Sequence, residues 1–354
     1  MVCNGRMNSR ERVLAALRAE PTDRLPVYLD LGPFREQFRQ MGIEDPEAHF
    51  GVDLRKIWFA PWAEQTRREP DAPRIGNEQQ AANYRMWGYY PQRIDRRNPL
   101  IRAACADDIE AYHFPVVEAQ GDISRLREAV ASAHERSLAV AGQIPHLGGV
   151  VFETAYRLRG LDNLLEDLRL RPALASLLLE RITDAACANV ALLATCGVDI
   201  VVLGDDIGTP TSMLISPQMW REWLKPRLAR IIDAARRVNP QVAVAYHSDG
   251  FYMPVIGDLI EIGVDILNPV QPDCMDPAAV RDRFGDAVTL WGTVGSATLL
   301  PFGEPEAVER EVRLRMETLG GRGRLILGPA YDLEDNVPVR NVLAFFEACG
   351  STGA

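Results

Sequence analysis

No stretch of the 354-residue chain approaches the run of about 18 apolar residues that a transmembrane helix needs. No CxxC pair occurs among the six cysteines, Cys3, Cys105, Cys187, Cys196, Cys274 and Cys349, so a zinc ribbon or a thioredoxin-like redox site is not expected. A GxGxxG turn and a P-loop are missing, which weakens the case for a doubly wound open sheet, although such sheets can lack both, and no GxSxG elbow appears, which argues against an α/β-hydrolase. Lys and Arg number 39 against 49 Asp and Glu, a net charge of −10 without a basic run, so no general nucleic-acid surface is expected. Residues Met1–Met7 contain no apolar signal region, and the cysteines are scattered; both point to a cytoplasmic protein.

With 47% hydrophobic and 25% charged residues, the composition suits a globular protein with a large core. Asn8-Ser9-Arg10-Glu11 has the form of a helix cap, and a helix follows from Ser9 to about Ala19, ended by Pro21. Eight short apolar runs come next: 26–30, 56–60, 137–143, 199–205, 242–247, 265–268, 288–292 and 324–328. They do not alternate apolar with polar, as half-exposed strands would. Continuous apolar runs separated by helical segments indicate strands buried on both faces of a parallel sheet. Eight of them predict a single (β/α)8 TIM barrel over residues 1–354, with an open doubly wound sheet as the alternative. Helices are predicted from Pro172 to about Cys196, from Ser216-Pro217 onward, and from Pro305 to about Leu319. Residues 61–120 break the repeat. They read as an insertion after the second strand, serving as a lid or a dimer contact, with Trp62, Trp87, Tyr89 and Tyr90 as its aromatic face and a hairpin over 84–90.

In a (β/α)8 barrel the active site gathers at the carboxyl ends of the strands. The polar residues there are Asp30, Gln143 with His146, Asp205 with Asp206, His247 with Asp249, Asn268 with Gln271, Thr293, and Tyr331 with Asp332. Any one of these could be a turn residue or a helix cap. Their recurrence across six or seven strands favours a site. His247 and Asp249, two apart at a strand end, face the same way and can share a metal or act as a base and its orienter. Asp205 and Asp206 are the next candidates, for substrate or metal. His49, His113 and His134 lack ligand-like spacing.

Several stretches resemble the uroporphyrinogen decarboxylase superfamily. They are Asn8–Leu17 with Asp23–Val27, Phe152-Glu153 with Leu158-Arg159-Gly160, and Gly204-Asp205-Asp206 leading to Leu214–Pro217. The strongest are His247-Ser248-Asp249-Gly250, Leu259–Pro272, Trp291–Gly295 and Pro301-Phe302-Gly303. The resemblance implies the (β/α)8 barrel and two chemistries. Porphyrinogen decarboxylases need no metal and hold carboxylates with an arginine pair after the first strand. Here that loop offers Arg35 alone, preceded by Asp30.

The other branch comprises zinc-dependent methyltransferases that move methyl groups among corrinoid proteins, methylated substrates and thiols. Their metal is held by a His-x-Cys pair after the fifth strand and a Cys after the eighth. His247 matches; Asp249 replaces the first Cys, and Tyr331 falls near the last. A carboxylate and a phenol are harder ligands than thiolates, so cobalt, iron, manganese and nickel compete with zinc. Glu153 and Cys274 are the further ligand candidates. A corrinoid-binding Asp-x-His-x-x-Gly signature is absent, so a corrinoid would come free or on a partner protein.

The expected activity is metal-dependent methyl transfer or demethylation between a small methylated compound or corrinoid and a thiol-like acceptor. A cofactor-free decarboxylase-like lyase is the alternative. Asp205, Asp206 and Tyr331 are expected in catalysis. His247, Asp249, Glu153 and Cys274 are expected at the metal. Asp30, Arg35, Gln143, His146, Asn268 and Gln271 are expected at the substrate. The partners are a small-molecule donor and acceptor, with a homodimer as the assembly considered.

Overall fold

The computed structural model describes residues 6–58, 83–91, 97–115, 123–333 and 336–350, apart from the side chain of Arg322. Most of the expected insertion, 61–82, 92–96 and 116–120 with Trp62, lies outside the described residues.

Seven strands form one parallel sheet in sequence order: β1 Leu54–Trp58, β2 Ala139–Gln143, β3 Ile200–Gly204, β4 Ala243–His247, β5 Ile266–Asn268, β6 Thr289–Trp291 and β7 Leu325–Ile326. These are the second to eighth of the apolar runs. The first run makes a single bridge, Val27 with Leu327, instead of a ladder. Tyr28 N–H donates to Leu327 O (2.9 Å), and Asp53 N–H donates to Val27 O (2.9 Å). The segment therefore links the residue after β7 to the residue before β1. It stays short of a strand because Pro26 has no N–H and the Val27 N–H donates to the Asp53 carboxylate (2.8 Å).

Period-two alternation sorts the strand residues. Leu54, Ala139, Ala141, Ile200, Val202, Ala245, Ile266, Trp291 and Ile326 pack together with Tyr28 and Val13 on the concave side of the curled sheet. Val140, Val201, Val244, Leu267 and Leu290 face the helices. Both faces are largely buried from β2 onward, which explains why those strands read as continuous apolar runs, whereas β1, with Arg55 and Lys56, is only partly buried. The next positions on the concave side, beyond Ala141, Ala245 and Ile266, are Gln143, His247 and Asn268. A polar layer thus follows the apolar one at the carboxyl ends.

The helix boundaries follow local chemistry. The Asn8 side chain accepts from Glu11 N–H (2.9 Å) and the Glu11 carboxylate from Asn8 N–H (3.0 Å), a capping box that starts Ser9–Leu17. Ser216 accepts from Met219 N–H (3.2 Å) with Pro217 at the first helical position. Pro172–Thr195 packs against Lys225–Val238, and Pro305–Leu319 against Val339–Ala348. Residues 83–86 are helical, with Trp87 N–H donating to Asn83 O (3.2 Å), so the hairpin expected over 84–90 does not form. Tyr84, Trp87, Tyr89 and Tyr90 are buried. No helix among the described residues is long and apolar enough to cross a membrane.

Candidate active site

The polar layer opens into a cavity of about 480 Å³. Lys56 and Trp58 of β1, Gln143 of β2, His247 of β4 and Asn268 of β5 contribute the ends of strands. His146, Glu153, Asp206, Asp249, Tyr331 and Asp332 enter from the loops beyond them, and Asp30 from the first segment.

Asp206, His247 and Asp249 form a cluster in which one ligand atom from each lies within 4.8 Å of the others. The backbone sets this spacing. Gly204 pairs with His247 across β3 and β4, and His247 with Asn268 across β4 and β5. The Asp249 N–H donates to Asp206 Oδ1 (2.9 Å), tying the two loops together. Gly204 is needed for the close approach, because a Cβ there would sit 2.7 Å from His247 Cβ. Gly204→Ala should therefore displace His247 and cost about 1–3 kcal/mol of stability by overpacking. Urea denaturation measures the loss, and an unchanged midpoint would refute the steric argument.

Asn268 fixes the His247 ring. Its amide nitrogen donates to Trp291 O (3.3 Å), so its Oδ1 is the atom facing His247 Nδ1 (2.9 Å). That makes Nδ1 the protonated nitrogen and leaves the Nε2 lone pair free, 3.9 Å from Asp206 Oδ1. The Asp249 carboxyl is pushed up to about 6, chiefly by burial, with Asp206 and Glu153 adding repulsion against the pull of His247.

Glu153 adjoins the cluster with both oxygens engaged. Oε2 accepts from Asp206 N–H (3.0 Å) and Oε1 from the Tyr156 hydroxyl (2.9 Å). Burial, then Asp206, raises its pKa. Asp205 is fully buried outside the cavity lining, and its carboxylate accepts from Val151 N–H (3.1 Å) and Glu153 N–H (2.9 Å). It caps the helix Phe152–Arg159 from another segment of the chain. Gln271 donates to Asp249 Oδ1 (2.9 Å) and accepts from Gly250 N–H (2.7 Å), one step behind the cluster. Cys274 lies a further step back, its thiol 3.5 Å from Gln271 Oε1. Arg35 is outside the cavity lining and pairs with Glu47 (3.3 Å), itself part of that lining. Asp30 caps Gly32 N–H (2.8 Å) on the cavity wall, and Tyr331 is half exposed at its edge.

Sequence reading did not single out Lys56 or Arg157. Lys56 pairs with Asp332 (3.0 Å), 276 residues away, and Arg157 reaches Glu153 (3.4 Å) while lying over the Tyr89 and Tyr156 rings. The inward parity of Lys56, two residues after Leu54, was the available signal for the first. Arg157 had only its i+4 spacing from Glu153.

The Asp206–His247–Asp249 donors offer two carboxylates and one imidazole nitrogen. This oxygen-rich set suits a divalent transition ion of hard-to-borderline character, and the oriented Nε2 meets the second requirement of such a site.

Comparison with known proteins agrees with the architecture. The chain is 24% identical over 357 residues to a methylcobamide:CoM methyltransferase, MtaA, of Methanosarcina barkeri, covering 96% of each protein. It is 25% identical over 354 residues to a uroporphyrinogen decarboxylase of Xanthomonas axonopodis pv. citri, covering 92% of this chain and 93% of the relative. A methyltransferase from Methanosarcina mazei shares the fold with a TM-score of 0.65 and 22% identity over 97% of this chain and 98% of that one. Residues 94–352 match the model of the uroporphyrinogen decarboxylase (URO-D) family, and the chain belongs to that family.

Proposed function

We propose that the protein is a methyltransferase or demethylase working through a divalent transition metal held by Asp206, His247 and Asp249. The Asp206–His247–Asp249 cluster at the cavity carries this reading, and the end-to-end similarity to a methylcobamide:CoM methyltransferase supports it. The Val27 bridge between the sheet edges supports a single (β/α)8 barrel, and Asn83 and Tyr84, from the described part of the expected insertion, line its cavity.

Asp206, His247 and Asp249 would hold the divalent ion, which would supply a lowered pKa for an acceptor thiol or polarisation of a leaving heteroatom. The chain's own residues do the rest. Asn268 keeps the proton on His247 Nδ1. Gln271 orients Asp249, and Glu153 holds the Asp206 backbone. Asp205 anchors the helix that delivers Glu153 and Arg157, so its part is positioning. Tyr331, at the cavity edge, contacts the donor or acceptor. The methyl donor is a small methylated compound or a methylcorrinoid, free or on a partner protein, and the acceptor is thiol-like.

Methyl transfer from methylcobalamin to a small thiol tests the reading. Activity should vanish on exhaustive chelation and return with cobalt, zinc, iron, manganese or nickel. Full turnover after chelation would overturn it in favour of the metal-free lyase. That alternative draws on the similarity to the Xanthomonas decarboxylase. Against it, Arg35 is outside the cavity lining and already pairs with Glu47, while Asp30 lines the cavity. Incubation with uroporphyrinogen should therefore yield no coproporphyrinogen.

A further inference from the structure

The wall of the cavity at the end of β2 holds two polar side chains that the metal cluster does not use. Gln143 and His146 both line the cavity and are each 8% exposed. Gln143 Oε1 and His146 Nδ1 are buried without a hydrogen-bond partner among the described residues. Buried polar atoms are almost always paired, and leaving them unpaired costs stability that a ligand can recover. The pleat forces this exposure to the cavity: Gln143 follows Ala139 and Ala141 on the concave side and pairs in register with Trp58. The Trp58 ring lies 5.4 Å from the His146 ring, giving the wall an aromatic flank.

Charge pairing in the cavity narrows the ligand. Among the described residues, its three Lys and Arg side chains already face carboxylates: Lys56 with Asp332, Arg55 with Glu47, and Arg157 with Glu153. Asp30, Asp206 and Asp249 add negative charge to the lining. Burial keeps the His146 imidazole neutral, holding its pKa down to about 3. An anionic group placed against this wall would find only neutral donors and a carbonyl oxygen, with every Lys and Arg among the described lining residues already paired to a carboxylate.

We propose that Gln143 and His146 form a subsite for a neutral group that can both donate and accept hydrogen bonds, such as a primary amide or hydroxyl. The subsite selects substrates carrying that group beside an apolar or aromatic body, and it excludes carboxylates. As a statement about which methyl donor or acceptor is used, this rests on the methyl-transfer reading. The binding preference itself needs no metal.

Benzamide and benzoate, nearly identical in shape, provide the probe. Binding of each to the full-length protein is measured by calorimetry after chelation, so that the metal cluster takes no part. Benzamide should bind about tenfold or more tightly than benzoate, the scale of one or two hydrogen bonds. Gln143→Met keeps the volume and removes the polar head. It should abolish the preference, as should His146→Phe. Thermal unfolding of each variant confirms that it is folded. Preferential binding of benzoate, no saturable binding of benzamide, or an unchanged preference in folded Gln143→Met would each overturn the subsite. If the preference holds while methyl transfer proves metal-independent, the subsite stands and the metal-dependent reading falls.

Discussion

Asp249→Ala should lose metal and methyl transfer together. The substitution removes one of three donors and leaves the end of β4 unchanged, because Asp249 lies beyond the strand. Losing even an outer-shell partner typically costs 10- to 100-fold in metal affinity, so loss of a direct ligand should exceed about 100-fold. The metal-free protein should not suffer. The Asp249 carboxyl sits at about 6 where an unperturbed aspartate lies at 3.8, so its charge opposes folding at neutral pH. The sign follows. Metal-free wild type gains stability relative to Asp249→Ala as pH falls from above 6 toward 4, and at pH 8 the variant is at least as stable. His113→Ala, outside the cavity lining, should change neither occupancy nor turnover. Metal titration with thermal unfolding across pH measures both effects, and an Asp249→Ala protein with wild-type affinity would remove Asp249 from the ligand set.

Arg12→Met should produce the largest loss of stability without touching the cavity. Arg12 is buried and donates to Asp53 (2.5 Å) and to both oxygens of Asp23 (2.6 and 2.8 Å). Asp53, fully buried, also receives Arg24 (2.7 Å) and the Val27 N–H (2.8 Å). This network pins the Val27 bridge that joins the two edges of the sheet. Removing one partner of a buried pair costs about 3–5 kcal/mol, because the remaining charges lose their compensation. The pH dependence should change as well. Hydrogen bonds from Arg12 hold the Asp23 carboxyl down to about 2 from 3.8. The stability from this pairing is complete above about pH 4 and is lost as pH falls toward 2. Arg12→Met should lack this acid limb in denaturation curves measured from pH 5 to 2. A variant within about 0.5 kcal/mol of wild type would show that Arg24 alone supports the seam.

How much of this was legible in the sequence follows from the range of each interaction. Six strands, β2 to β7, could be read because burial on both faces leaves a largely apolar run that depends on its own residues; β1 carries Arg55 and Lys56 and is only partly buried, so its signal was weaker. The first run could not be read as a mere bridge, since that depends on the Asp53 side chain taking the Val27 N–H. Capping at Asn8 and Ser216 is local and was visible. Capping by Asp205 joins Gly204-Asp205 to a helix some fifty residues earlier, and nothing in either segment announces it. Asn268 stands at a strand end, where sequence alone suggests substrate contact. It does line the cavity, and its two hydrogen bonds to His247 and Trp291 are tertiary contacts that the sequence does not announce. The salt bridge of Lys56 with Asp332 and the pairing of Arg157 with Glu153 against a tyrosine face belong to tertiary packing. The unpaired state of Gln143 and His146 is a property of their surroundings, and no residue pattern encodes it.

The central claim is that Asp206, His247 and Asp249 hold a metal ion on which methyl transfer depends. Elemental analysis of the untagged protein, purified without added metal or chelator, tests it most directly. The account predicts a stoichiometric divalent transition ion in wild type and its loss in both His247→Ala and Asp249→Ala. Wild-type protein that is active in methyl transfer yet carries no more metal than those two variants would contradict it.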